Sequence, residues 1–288
     1  MNTTFGNDWM HRQLVRFLRI VDVRVLYAFM VVFVIPVCLL LNTNHSRTIA
    51  YRFYRKRFGY GVLRAMWSTY VNHCKFGQVV VDRFAAFAGK RFQVDTHGYE
   101  LFRQLSEQPD GFVQLSSHIG CYEVAGYTLV AKDKRFNALV YGGEKEGVME
   151  GRKKVLDHNN IRMIPVQQNM SHLFLINEAL SNHEIVSMPA DRIMGSNKVM
   201  TVDFFGDKAH LPMGPFSVVT MRGLNVISVN VLKKSAKVYQ VYITPLLYDK
   251  KASRREQMQQ LATQYATELE RVVRMYPTQW FNFYDFWS

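Results

Sequence analysis

Short apolar runs rich in β-forming residues alternate with segments of helical period through the middle of the chain, and this alternation restricts the fold more than any other feature. Gly111 to Leu115, Asn137 to Tyr141, Ile161 to Val166 and Ile185 to Met188 read as buried strands. Helical patterns fit between them, notably Met149 to His158 and Ser171 to Ser181. Such alternation predicts an α/β fold, with a mostly parallel central sheet covered by helices. Asn225 to Leu232 and Val238 to Thr244 flank Lys-Lys-Ser-Ala-Lys, a polar link of hairpin length, so those two strands are expected to be antiparallel. Ser253-Arg-Arg-Glu256 is a capping box; it opens a helix whose Met258, Leu261, Tyr265, Leu269, Val272 and Val273 share one stripe. Val62, Leu63, Met66, Trp67, Tyr70 and Val71 recur at three and four residues, which predicts amphipathic helices between Ile49 and Ala88.

Ahead of this body, Val25 to Leu41 is apolar and carries no charge. It lies near the lower limit of about 17 residues for crossing a bilayer, and Pro36 interrupts it. A single span, a helix embedded at the interface and a cleaved signal peptide all fit; the last fits worst, because no small-x-small site follows cleanly. Residues 1–48 are therefore assigned to membrane attachment and 49–288 to a catalytic domain. Basic residues crowd both flanks: Arg12, Arg16, Arg19 and Arg24 before the run, Arg47, Arg52, Arg55, Lys56 and Arg57 after it. The net charge of +13 would suit nucleic acid, anionic lipid headgroups or an acidic protein partner, but this clustering beside an apolar run favours a membrane surface over nucleic acid. Cys38, Cys74 and Cys121 are too few and too dispersed for a disulfide framework or a cysteine zinc site.

Candidate chemistry lies in Ser-Ser-His-Ile-Gly-Cys-Tyr-Glu, residues 116–123. His118 and Glu123 are five apart, about 140° around an α-helix, so they can meet only across a turn. The preceding apolar run reads as a buried strand, Ser116 and Ser117 as helix-capping residues, and Gly120 as a residue of unusual backbone. A strand end, a tight turn and a helix start would set the imidazole at the mouth of a cleft, where open α/β sheets bind ligands. A neutral imidazole there can take a proton from an attacking hydroxyl, with a carboxylate on its other nitrogen fixing the tautomer. Cys121 offers a rival, as an acyl-carrying nucleophile.

This segment resembles the H-x-x-x-x-E block of the bacterial late acyltransferases of lipid A biosynthesis, in the lysophospholipid acyltransferase superfamily, whose usual form is His-Trp-Gly-Asn-Trp-Glu. Gly120 is kept, while Ile119, Cys121 and Tyr122 replace the other three. Ala190-Asp191-Arg192 with Gly195, Asp203-Phe204-Phe205-Gly206, and Leu211-Pro212-Met213-Gly214-Pro215 resemble three later blocks, in order. The resemblance implies a glycerolipid-acyltransferase-like fold, acyl-carrier protein as thioester donor, a lipid hydroxyl as acceptor, no covalent enzyme intermediate and no metal or other cofactor. It implies His118 as base and Glu123 as its orienting carboxylate. Arg152 is the nearest match to an assisting arginine, and Asp191 and Arg192 would contact the acceptor headgroup or hold the site together. It also implies a bacterial inner membrane location, with the catalytic domain on the cytoplasmic face. The ending Tyr276-Pro-Thr-Gln-Trp-Phe-Asn-Phe-Tyr-Asp-Phe-Trp287 departs from the family by its aromatics, which leaves open a pigment, an aminolipid or a lysophospholipid as acceptor, or a silent membrane adaptor. The aromatics would pack on the sheet or line an acyl groove.

Overall fold

The computed structural model describes residues 17–18, 20–41, 45–121, 129, 131, 133–141, 160–167, 170–193, 198–284 and 286–287. Three helices come first: α1 (Val23–Leu41), α2 (Ser46–Arg57) and α3 (Val62–Phe87). There follow β1 (Gln93–His97), α4 (Tyr99–Glu107), β2 (Phe112–Ser116), β3 (Phe136–Tyr141), β4 (Ile161–Val166), α5 (Ser171–Ser181) and β5 (Ile185–Pro189). The chain closes with β6 (Val199–Phe204), β7 (Asp207–Pro212), α6 (Met213–Met221), β8 (Asn225–Lys233), β9 (Val238–Pro245) and α7 (Arg254–Met275). The helix expected at Met149 to His158 lies outside the described residues.

Seven strands form the main sheet in the order β1-β9-β8-β2-β5-β3-β4. Every pair is parallel except β8 with β9, the hairpin anticipated from its five-residue polar link. Alternation along the central strands divides the core into two layers. Val113, Leu115, Val186 and Met188 face α7, whose Leu261, Tyr265, Leu269 and Val272 are buried against them. Phe112, Ile185, Ile227 and Val229 face the other way, toward Phe102 and Leu105 of α4 and Val79 of α3. β2 sits at the centre, with β3, β4 and β5 on one side and β1, β8 and β9 on the other. Its carboxyl end therefore opens where the connections diverge, the place at which such sheets hold ligands.

The hairpin β6–β7 was not read from the sequence. Its two-residue loop, Phe205-Gly206, has positive φ at both positions (52° and 82°), the geometry that matches the twist of paired strands. Phe205 is held in this unusual conformation because its ring is buried and its N–H donates to Glu270 of α7 at 2.6 Å.

α1 is one 19-residue helix, long and apolar enough to cross a membrane, and it lies along α3. Between Met30 and Val34 it widens into a π turn. Pro36 explains this: its ring would collide with the Val32 carbonyl in a regular α-helix. In the π register the Val31 carbonyl would accept from residue 36, which has no N–H, and the Tyr70 hydroxyl of α3 donates instead at 2.7 Å. Gly77 permits the close approach, since a Cβ there would lie 2.8 Å from the Met30 thioether. Deeper in, the Lys233 ammonium of β8 pairs with Asp82 of α3 and donates to the Tyr27 hydroxyl of α1 at 3.0 Å; Tyr239 and Tyr27 also bond Asp82. Both members of the ion pair are wholly buried. Burial raises the Asp82 pKa and lowers that of Lys233, each against the pull of its partner.

Candidate active site

Parallel register brings the central pair together. β2 and β5 run side by side with Ser116 opposite Pro189, and the ladder continues as Ala190 donates to the Ser116 carbonyl at 3.0 Å. Two residues beyond each strand end stand His118 and Asp191. The His118 ring Nδ1 lies 2.7 Å from Asp191 Oδ1, and the His118 main-chain N–H donates to Oδ2 at 2.8 Å. Trp280 Nε1 approaches the same Oδ2 at 3.5 Å, and the Tyr284 hydroxyl donates to the Asp191 carbonyl at 2.8 Å. Asp191 has no exposed surface. Burial alone would raise its pKa, but the charge of His118 and both hydrogen bonds from that residue, with a smaller contribution from Arg192, hold it below the ordinary carboxylate value.

The turn after β2 is fixed from three sides. Gly120 has φ of +60°, and a Cβ there would fall 1.8 Å from the Val231 carbonyl, so no other residue fits. Its N–H donates to the Gln279 carbonyl at 2.8 Å, the Cys121 N–H donates to Val231 at 2.8 Å, and the His118 carbonyl accepts from Phe281 at 2.9 Å. Ser116 and Ser117 do not cap a helix as their type suggested. Ser116 completes β2, and Ser117 Oγ donates to Asn230 of β8 at 3.0 Å. Here strand pairing takes precedence over the local capping tendency of serine.

His118 opens on a recess of about 440 Å³. Phe76, Val79 and Val80 of α3 form one wall and Phe281 and Phe283 another, while Arg83 and Arg192 supply charge. The Arg192 guanidinium donates to the Phe281 carbonyl at 2.6 Å, and its Nε makes no hydrogen bond. Cys121 also reaches this recess and is 3% exposed. Of the residues singled out from the sequence, His118, Asp191 and Arg192 are brought together, while Glu123 and Arg152 lie outside the described residues. Arg83 and Phe76 of α3 were not anticipated as site residues. The C-terminal aromatics divide between the two places considered for them: Phe281 and Phe283 line the recess, whereas Trp280, Phe286 and Trp287 pack around Phe204. Among the described residues no group of three or more His, Cys, Asp or Glu could hold a metal ion.

An imidazole held by a buried carboxylate beside an apolar recess has the arrangement a general base needs. Sequence comparison narrows that class. Residues 83–288 match the family described as bacterial lipid A biosynthesis acyltransferase, and the chain belongs to that family of acyltransferases. The match begins within α3, leaving α1 and α2 ahead of it. No curated protein matches the sequence. Among solved structures, the crystal structure of the 1-acyl-sn-glycerophosphate (LPA) acyltransferase PlsC from Thermotoga maritima superposes with a TM-score of 0.41 and 14% identity, over 94% of this chain and 99% of that one.

Proposed function

We propose that the protein moves a fatty acyl group from the thioester of acyl-carrier protein to a hydroxyl of a lipid A precursor or a related membrane lipid. The observation that carries this reading is the His118–Asp191 pair at the mouth of the apolar recess, 2.7 Å apart at Nδ1 and Oδ1. With Nδ1 engaged by Asp191, Nε2 is the nitrogen through which the ring acts. It takes the proton of the acceptor hydroxyl as that oxygen attacks the thioester carbonyl. When the tetrahedral intermediate collapses, the carbon–sulfur bond breaks and the imidazolium returns the proton to the departing thiolate. Asp191 stabilises the imidazolium between the two steps. In this reading it takes the orienting role that the family resemblance assigned to Glu123, and Arg192 contacts the acceptor or the developing charge.

The membrane is the source of the acceptor. Phe29, Val32, Phe33, Val37 and Leu40 of α1 are exposed beside Leu63, Met66 and Trp67 of α3, an apolar face with basic neighbours Arg24 and Arg64. Because α1 lies along α3, we favour attachment at the interface of the inner membrane, on its cytoplasmic side, over an isolated span. Mass spectrometry of membrane lipids tests the reading in a deletion strain complemented with wild type or His118→Ala. Wild type alone should restore one acyl chain on lipid A; restoration by both would refute the catalytic role, and restoration on a different lipid would reassign the acceptor.

A further inference from the structure

A second recess, of about 210 Å³, lies beneath α2 on the far side of the C-terminal segment. From Trp280 to Phe283 successive side chains alternate between the two recesses. Phe281 and Phe283 face the recess of His118, Trp280 and Asn282 face the second one, and Tyr284 borders both. The two spaces are thus neighbours separated by one strand of chain.

Asn282 is 8% exposed; its amide interacts with the neighbouring Tyr284 phenol, and neither amide atom has a well-formed hydrogen bond. That phenol already donates to the Asp191 carbonyl. A buried amide whose hydrogen-bonding capacity is left largely unmet is costly to keep, and it suits a ligand group that offers both a donor and an acceptor, as another amide does. Above it, Arg52, Lys56 and Arg57 come from one face of α2. Arg57 is committed to Asp207 and lies 4.0 Å over the Trp287 ring. Arg52 and Lys56 are exposed at the rim, and among the described residues no acidic side chain lines the recess. Two cations above an amide, with Trp280 and Phe53 behind, fit a slender chain bearing a phosphate and a secondary amide.

We propose that this recess is a binding site for such a chain and, resting on the acyl-transfer reading above, that it holds the phosphopantetheine arm of the donor. The phosphate would meet Arg52 and Lys56 and an amide would meet Asn282, so that the sulfur end continues past Tyr284 toward His118. Phosphorylated lipid carries related groups and is the competing source.

Trp280 and Trp287 line the recess, so their fluorescence reports its occupancy. Full-length protein in detergent should bind phosphopantetheine about tenfold more tightly than pantetheine. The double variant Arg52→Ala/Lys56→Ala should abolish that difference, and Asn282→Ala should weaken both probes by about tenfold. Equal affinity of wild type for the two probes, or discrimination surviving in the double variant, would overturn the proposal. So would displacement of phosphopantetheine by micellar phosphatidylglycerol at equal phosphate, which would assign the site to a lipid headgroup. The exposed rim residues keep the test decisive should Asn282→Ala fail to fold. Binding as expected in a protein that acylates no membrane lipid would refute the function and leave the recess standing; acyl transfer without discrimination between the probes would refute the recess alone.

Discussion

Asp191→Asn should abolish most of the activity while leaving the fold intact, because the structure dictates how an asparagine must sit. Oδ2 accepts from the His118 main-chain N–H at 2.8 Å and faces Trp280 Nε1 at 3.5 Å. The asparagine carbonyl must therefore occupy that position, which turns its NH2 toward His118 Nδ1. Two donors cannot face each other at 2.7 Å, so the ring must place its proton on Nε2. An Nε2–H imidazole cannot accept the acceptor's proton. General-base help is worth about 10² to 10⁴ in rate, so kcat should fall by roughly that factor, or about 3 to 5.5 kcal/mol at 1.36 kcal/mol per tenfold. Donor and acceptor KM should change little, since Asp191 is buried and touches neither. Steady-state acyl transfer measures the loss, and nitrogen NMR of the imidazole reports the tautomer. A variant that keeps kcat within threefold, or one that loses it while Nδ1 stays protonated, would refute this account of the pair.

Three further outcomes follow from the same contacts. The depressed pKa of Asp191 contributes stability that is present above the unfolded carboxylate value of 3.8 and is lost as pH falls through the lower folded value, so Asp191→Asn should flatten the acid limb of a denaturation-versus-pH profile. Lys233→Met leaves Asp82 buried without its cation and should cost about 3–5 kcal/mol in denaturant unfolding, whereas adding Asp82→Leu should recover much of it; equal losses in the single and double variants would contradict the pairing. Gly120→Ala drives a Cβ into the Val231 carbonyl at positive φ and should cost on the order of 3 kcal/mol, with activity falling alongside melting temperature.

Periodicity made most of the sheet legible. Ile161–Val166, Ser171–Ser181 and the capped helix after Ser253 stand where their patterns put them, because each carries its own local signal in residue spacing or end chemistry. The β6–β7 hairpin escaped because its turn begins with phenylalanine, a residue that takes positive φ only when tertiary contacts hold it there. The site divides along the same line. His118 was visible as a histidine after a strand, with a glycine two residues on. Its contact with Asp191 was not, since the two are 73 residues apart and meet only through the Ser116–Pro189 register. Pattern identifies strands, but it does not say which residue of one lies opposite which residue of another. Spacing alone offers a nearby carboxylate such as Glu123 as the partner; the family resemblance made Asp191 a site candidate, and its place beside His118 follows only from the ladder.

The aromatic C-terminal segment is built into the surroundings of His118 and Asp191. Gln279 grips β8 at both main-chain groups of Lys233, each at 2.8 Å, while its own carbonyl receives Gly120. Asn72 of α3 donates to the carbonyls of Thr278 and Trp280 at 3.1 and 3.0 Å. Phe281 then holds the His118 carbonyl, Trp280 the Asp191 carboxylate and Tyr284 the Asp191 carbonyl. Both members of the pair are thus bound to one short stretch of chain, which is itself tied to the sheet and to the helix beneath α1. Aromatic side chains can vary at positions that wall the two recesses, because main-chain groups and the Gln279 amide make most of these attachments. Geometry at the imidazole can therefore be kept while the shape of the space beside it changes.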